Sequence, residues 1–148
     1  MLKERISADL RQAQKSADKA RMTVLRLVVA GVKNAEIDKG DSLDDAGVTE
    51  VLSREAKQHR ESISEFAKGN RQDLVERNEE ELAILMEYLP EQMGREDIES
   101  LARQVMEQVG ARGPADKGKV MGQLMPQLKG KADGKEVNEV VIELLAGV

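Results

Sequence analysis

The chain has 148 residues, and its 28 acidic side chains outnumber its 23 basic ones to give a net charge of −5. Cysteine is absent, which excludes disulfides, thiolate zinc sites and thiol nucleophiles. Tryptophan is absent and only one Phe and one Tyr are present, which argues against the RNA-binding modules that stack bases on aromatic side chains.

Apolar residues recur every three or four positions in the first part of the chain, which predicts four helices. The first covers residues 2–16, and the second follows an N-cap at Asp18. The third ends at Gly69, and Asn70 is expected to cap the fourth. Pro90 stops the fourth helix, because the residue before a proline disfavours helical geometry.

Three shorter helices are predicted after this proline. Gly110 ends the fifth helix, and Pro114 suits the first position of the sixth. Because Pro126 lies late in the sixth helix, we expect a kink or an end near Met125. A turn at residues 132–134 then leads into the seventh helix.

No segment alternates with a period of two, so the sequence predicts an all-α protein. We divide it into an N-terminal helical domain of about four helices, residues 1–90, and a small three-helix C-terminal domain, residues 94–148. The second part is short for independent stability and needs close helix crossings. The longest apolar run, around Leu27 to Ala30, is too short to span a membrane.

Charge is segregated along the chain. Residues 1–33 carry +5, residues 34–111 carry −11, residues 112–135 carry +4 and residues 136–148 carry −3. One interpretation is solvated helix faces with pairing between segments. The others are that both basic regions face one polyanion, or that the acidic middle meets a basic protein.

The stretch from residue 112 to residue 135 combines cations with glycine. Its six candidate anion-binding side chains are Arg112, Lys117, Lys119, Lys129, Lys131 and Lys135. Its four glycines expected to permit close approach and helix packing are Gly118, Gly122, Gly130 and Gly134. Cations and free N–H groups at a helix start form an anion site, whereas Lys129 and Lys131 also suit the C-terminal pole of the helix.

Other chemistry has little support. His59 is the only histidine and lies among charged residues, which predicts a solvent-facing side chain. The run Glu79–Glu81 is consecutive and points around its helix, so the sequence predicts neither a metal site nor a cofactor. The first residues, 1–5, lack the apolar run of a signal peptide, and we therefore predict a cytoplasmic location.

Several segments together resemble the GatB/YqeY domain and its stand-alone YqeY-like members. The two that carry the signature are residues 117–122, Lys-Gly-Lys-Val-Met-Gly, and residues 129–134, Lys-Gly-Lys-Ala-Asp-Gly. Leu52–Glu55 and Tyr88–Gln92 match as well, and the similarity covers essentially the whole chain.

The resemblance implies an all-helical protein similar to the tail of the B subunit of aspartyl/glutamyl-tRNA amidotransferase, a glutamine-dependent carbon–nitrogen ligase. That tail contacts the outer body of tRNA, and the chemistry belongs to other domains. The leading hypothesis is therefore a non-catalytic tRNA-binding or amidotransferase-related accessory protein in which the six cations contact phosphates.

Two alternatives stay open at this point. The acidic middle helices, from Glu76 to Glu87, could dock on a basic protein partner. An enzyme would instead need carboxylates such as Glu36, Glu55 and Glu61 to converge in a cleft. The sequence does not predict an autonomous enzyme.

Overall fold

The computed structural model describes residues 1–148 and contains seven α-helices and no strand, which confirms the all-α class. A single turn of 3-10 helix at Pro114–Asp116 precedes the sixth helix. The helices are α1 Leu2–Ser16, α2 Lys19–Lys39, α3 Asp45–Lys68, α4 Gln72–Met86, α5 Arg95–Val109, α6 Lys117–Leu128 and α7 Gly134–Ala146.

The chain divides into two compact units, Met1–Leu89 with α1 to α4 and Pro90–Val148 with α5 to α7. Each unit has its own aliphatic core. None of the seven helices has the combination of length and hydropathy that a membrane-spanning segment requires.

In the N-terminal unit, the paired helices α3 and α4 pack with α1 and α2 around a core of valine, leucine and isoleucine. Asp18 caps α2 as predicted, and its carboxylate accepts a hydrogen bond from the Arg21 amide at 3.1 Å. Gly31 allows α2 to approach α3 closely, because a Cβ atom there would lie 2.9 Å from a Val51 methyl group.

Asn70 does not cap α4, so that prediction is wrong. It adopts a left-handed conformation with φ of 56° at the end of α3, and the N-cap of α4 is Arg71. The Arg71 amide donates to the Phe66 carbonyl at 2.9 Å. Asparagine tolerates this backbone region and so terminates the preceding helix.

Tyr88 joins the end of α4 to α1 and α2. Its hydroxyl donates to the Asp9 carboxylate at 2.6 Å, and the Arg5 guanidinium lies 4.6 Å from the ring centroid. Burial of the phenol, and then its hydrogen bond to Asp9, raise the pKa of Tyr88 to about 12. Tyr88 is thus a buried polar anchor of the N-terminal unit.

We expect the ultraviolet titration of this single tyrosine to show a midpoint near pH 12 in the native protein. Since ionisation is easier in the unfolded chain, the stabilising contribution is complete below pH 10 and is lost as the pH rises through 12. An Asp9→Asn variant should move the midpoint toward 10. An unshifted midpoint in the native wild type would contradict the buried position of the phenol.

In the C-terminal unit, α5, α6 and α7 surround a core that includes Val105, Leu124 and Val141. The segment before α5 is fastened to the connection between α6 and α7. The Met93 amide donates to the Lys131 carbonyl at 2.8 Å, and the Gln92 side chain donates to the Gly130 carbonyl at 2.8 Å. These bonds fix the backbone of that connection.

The sixth helix runs through Pro126 and ends at Leu128, so the expected end near Met125 is wrong. The missing N–H of Pro126 would have bonded the carbonyl of Gly122, four residues earlier. Gly122 is exposed, so water can satisfy that carbonyl. The buried residues Val120, Leu124 and Leu128 hold the helix on its other face.

Candidate nucleic-acid interface

The structure distributes the six candidate cations between the two ends of α6. Arg112, Lys117 and Lys119 lie at or before its first turn, and Lys129, Lys131 and Lys135 follow its last turn. Twelve residues of helix separate the two groups by about 18 Å. They therefore form two cationic groups joined by one helix.

The second group occupies a short and well-fixed connection. Lys129 and Lys131 lie between α6 and α7, Lys135 is in the first turn of α7, and all three are exposed. Lys131 and Lys135 form no ion pair within the chain. Gly130, between the first two lysines, has a φ of 79°, which glycine adopts without strain.

The first group is partly neutralised. The Lys119 ammonium lies 3.9 Å from the Asp116 carboxylate, and the other oxygen of Asp116 accepts a hydrogen bond from the Arg112 amide at 2.8 Å. Lys117 is half-buried and Arg112 is exposed, and neither side chain has an ion-pair partner. The free positive charge at this end therefore comes from Arg112 and Lys117.

The outer face of α6 carries two glycines between these groups, beside the exposed side chains of Lys119 and Gln123. Gly118 and Gly122 are four residues apart and exposed, and a Cβ atom added to either would meet nothing within 4 Å. The expected role of these two glycines in helix packing is therefore wrong. Gly134 makes an ordinary contact with the Met125 side chain, 3.7 Å from an added Cβ.

Negative charge also borders this region. Residues 90–148 carry eight basic and ten acidic side chains, a net charge of −2. Several of these acids are already engaged: Asp133 caps α7, and Glu99 and Glu143 both contact Arg95. Six of the eight basic side chains lie at the two ends of α6, and the other two, Arg95 and Arg103, lie on α5.

The acidic middle of the chain is partly internal. Glu87 pairs with Arg21 at 2.8 Å, and Glu81 is buried. Glu76, Glu79 and Glu80 stay exposed. The acidic surface available to a basic partner is thus smaller than the sequence suggested.

His59 is buried, so the prediction that it faces solvent is wrong. Only 7% of the residue is exposed, and it lies between α3 and α4. Its Nδ1 atom is 2.8 Å from the Glu55 carbonyl oxygen, and its Nε2 atom is 3.1 Å from Glu81 Oε2. The other oxygen of Glu81 lies 3.5 Å from Arg77.

Both ring nitrogens of His59 therefore face oxygen atoms. The carbonyl of Glu55 can only accept, which places a proton on Nδ1. Either Nε2 also carries a proton and donates to ionised Glu81, or the protonated Glu81 carboxyl donates to Nε2. In both cases a hydrogen bond joins the two buried side chains.

The three carboxylates of the enzyme hypothesis do not converge. The Lys3 ammonium at 2.7 Å and then the Leu43 amide at 2.9 Å engage Glu36, and they lower its pKa. Glu55 and Glu61 are both on α3, six residues apart, and therefore point about 120° away from each other. No catalytic cleft is formed from these side chains.

Comparison with known proteins identifies relatives along the whole chain. A family model described as Yqey-like protein matches residues 3–145. A protein of Kluyveromyces lactis named "Altered inheritance of mitochondria protein 41, mitochondrial" is 33% identical over 134 residues, which cover 88% of this chain and 68% of the relative.

Two further proteins carry the same name. That of Pyrenophora tritici-repentis is 29% identical over 144 residues, covering 95% of this chain and 79% of the relative. That of Lachancea thermotolerans is 41% identical over 85 residues, covering 57% of this chain. The match spans only 46% of the Lachancea protein's own length.

These names contradict the predicted cytoplasmic location. All three relatives are named as mitochondrial proteins, which points to mitochondria. The prediction rested on the lack of an apolar signal-peptide run. That lack carries no information about mitochondria, because targeting segments to that organelle are amphipathic and rich in arginine.

Proposed function

The chain belongs to the Yqey-like protein family, and from this premise we propose that it is a non-catalytic tRNA-binding accessory protein that contacts RNA through α6 and the α6–α7 connection. The proposal extends to this chain the role that the resemblance to the amidotransferase tail implies. Phosphate contacts of this kind recognise charge and shape and carry no direct base readout.

The main support is the pair of exposed glycines on α6, Gly118 and Gly122. A glycine inside a helix costs about 1 kcal/mol relative to alanine. Neither Gly118 nor Gly122 has a positive φ or a close neighbour, so the fold gains nothing from them. A partner backbone that approaches the helix closely would require this absence of side chains.

The cations at the two ends of α6 supply the second support. Lys131 and Lys135 are exposed and unpaired beside the N-terminus of α7, where the helix dipole favours an anion and Asp133 already caps one amide. Lys117 and Arg112 provide positive charge at the opposite end. A phosphate backbone lying along α6 would meet cations at both ends.

We expect the triple variant Lys129→Ala, Lys131→Ala, Lys135→Ala to bind unfractionated tRNA more weakly and with a smaller salt dependence. Each lysine removed should lower the slope of log affinity against log salt by about one unit. Filter binding over a series of salt concentrations measures this slope.

The matched control changes three exposed cations of the N-terminal unit, Lys39→Ala, Arg54→Ala and Lys57→Ala. It alters the net charge by the same amount and should keep the wild-type slope. Equal losses in the two variants would mean non-specific attraction, and salt-independent binding by the wild type would contradict phosphate contacts.

We expect the double variant Gly118→Ala, Gly122→Ala to separate stability from binding. Alanine should stabilise α6 by about 0.5–1 kcal/mol at each position. The added methyl groups should nevertheless weaken tRNA binding about tenfold or more, because they hold the RNA away from the helix. Thermal unfolding and filter binding on the same samples test both parts.

Gln123→Ala provides the control on the same exposed face, since it shortens a side chain and adds no bulk close to the helix axis. It should leave tRNA affinity within about twofold of wild type, as expected for a surface change that removes no charge. A Gly→Ala variant that is more stable and binds tRNA as well as wild type would remove the close-approach argument.

A further inference from the structure

Helix α2 is apolar on two sides. Its inner side is buried through Val24, Leu25, Val28 and Val32. Its outer side carries Leu27, Ala30 and Ile37, which form one apolar stripe that the polar Asn34 interrupts. Leu27 is 46% exposed and Ile37 is 77% exposed. A surface helix normally shows one apolar face, so the second is available for a partner.

A groove runs beside this stripe. A cavity of about 250 Å³ lies between α1 and α2 and is lined by Ile6, Val29 and Val32. A more open hollow of about 510 Å³ adjoins it near Ile37. Lys33 and Glu36 line both hollows, so the two are continuous along the C-terminal half of α2.

The two unpaired charges on the groove side of the stripe are positive, whereas Asp41, whose carboxylate accepts from the Ser42 amide at 2.8 Å, lines the open hollow. Arg26 and Lys33 are seven residues apart on α2, so they lie on the same side of the stripe, about two turns apart. Both are exposed, and neither has an ion-pair partner. Glu36 and Lys3 neutralise each other at 2.7 Å. A complementary partner would therefore carry carboxylates along this edge.

We infer that the outer face of α2 and its groove form a docking surface for an amphipathic helix of another protein with carboxylates along one edge. The apolar face of that helix would cover Leu27 and Ile37, and its acidic edge would meet Arg26 and Lys33. The stretch from Arg26 to Ile37 is about 18 Å long, which corresponds to about three helical turns of the partner.

The apolar stripe distinguishes this surface from the proposed RNA interface. Phosphates gain nothing from exposed leucine and isoleucine, whereas a helix that covers them removes their apolar surface from water. Ala30, at the centre of the stripe, allows the two helix axes to approach. The inference does not depend on the proposed tRNA binding.

The experiment uses three fluorescent peptides of equal length with the full chain. Two are amphipathic helices with the same leucine stripe and either glutamate or lysine along one edge, and the third is a scrambled version of the glutamate peptide. By fluorescence anisotropy, the glutamate peptide should bind with micromolar affinity. The other two should bind about tenfold more weakly or worse, since like charges meet or the apolar stripe is lost.

Variants of the protein sharpen the test. Arg26→Glu together with Lys33→Glu should reverse the preference, so that the lysine peptide becomes the tighter ligand. Ile37→Ser should weaken binding of the glutamate peptide about tenfold or more. Ile142→Ser makes the same change at an exposed isoleucine of the C-terminal unit and should have no effect.

The lysine triple variant of the α6–α7 connection should bind the glutamate peptide as wild type does, which separates this surface from the tRNA proposal. Failure of the glutamate peptide to bind would overturn the inference. Equal binding of the scrambled peptide, or an unchanged preference after the double charge reversal, would overturn it as well. Melting curves followed by circular dichroism confirm that each variant is folded.

Discussion

Replacement of Glu81 by leucine is expected to destabilise the N-terminal unit by about 1–3 kcal/mol at neutral pH. The change leaves the Nε2 atom of buried His59 without its only partner. One polar atom of a buried ring is then left without a hydrogen-bond partner, which sets the size of the loss.

A second variant, Glu81→Gln, removes the carboxylate charge and keeps a hydrogen-bond partner for His59. The glutamine amide can donate to Nε2 while Nδ1–H still donates to the Glu55 carbonyl, so every polar group keeps a partner. It should remain close to wild type at neutral pH. The exposed neighbour Glu80→Leu provides the second control and should change stability by less than about 0.5 kcal/mol.

Urea unfolding followed by the fluorescence of Tyr88 measures the stability of the N-terminal unit, because Tyr88 is the only tyrosine and no tryptophan is present. Equal losses for Glu81→Leu and Glu81→Gln would show that the carboxylate charge, and not the missing donor or acceptor, governs the pair. No loss in either variant would contradict the burial of His59.

The spacing of apolar residues predicted where the helices lie. The same spacing, continued through polar residues, also indicates that His59 and Glu81 are buried. His59 follows Ala56 by three residues and precedes Ile63 by four, so it continues the buried stripe of α3. Glu81 precedes Leu85 by four residues on α4. Their polar identity obscured the pattern, since a sequence cannot show that two buried groups on different helices satisfy each other.

The candidate interface was predictable as a list of residues but not as a surface. Lys117 and Lys129 are twelve positions apart in sequence, and the helix between them separates them by about 18 Å. Whether Gly118 and Gly122 face a neighbouring helix or solvent depends on which side of α6 carries Val120 and Leu124 into the core. The exposed stripe of α2 was not predicted, because from sequence alone apolar residues on both sides of a helix are assigned to the core.

The C-terminal unit should be the more sensitive of the two to a single core substitution. It comprises residues 90–148 only, and stability of about 0.05–0.15 kcal/mol per residue gives it about 3–9 kcal/mol. Leu124 is fully buried in its core. A Leu→Ala change at such a position costs about 2.7–5 kcal/mol, which is comparable to the whole stability of the unit.

We therefore expect Leu124→Ala to leave the C-terminal unit largely unfolded at physiological temperature. Helices α5, α6 and α7 supply 40 of the 115 α-helical residues, so circular dichroism should lose about a third of its helical signal. The fluorescence of Tyr88 should still report a folded N-terminal unit. Gln123→Ala, the adjacent exposed position, should retain the full helical signal.

The same variant bears on the interface, since both cationic groups lie in the unit that should unfold. tRNA binding that depends on the fixed α6–α7 connection should fall together with the helical signal, whereas attraction to loose lysines would survive. A Leu124→Ala protein that keeps its helices and loses less than about 1 kcal/mol of stability would contradict the burial of Leu124. One that loses them and still binds tRNA with the wild-type salt slope would show that the folded arrangement of the cations is not what the RNA recognises.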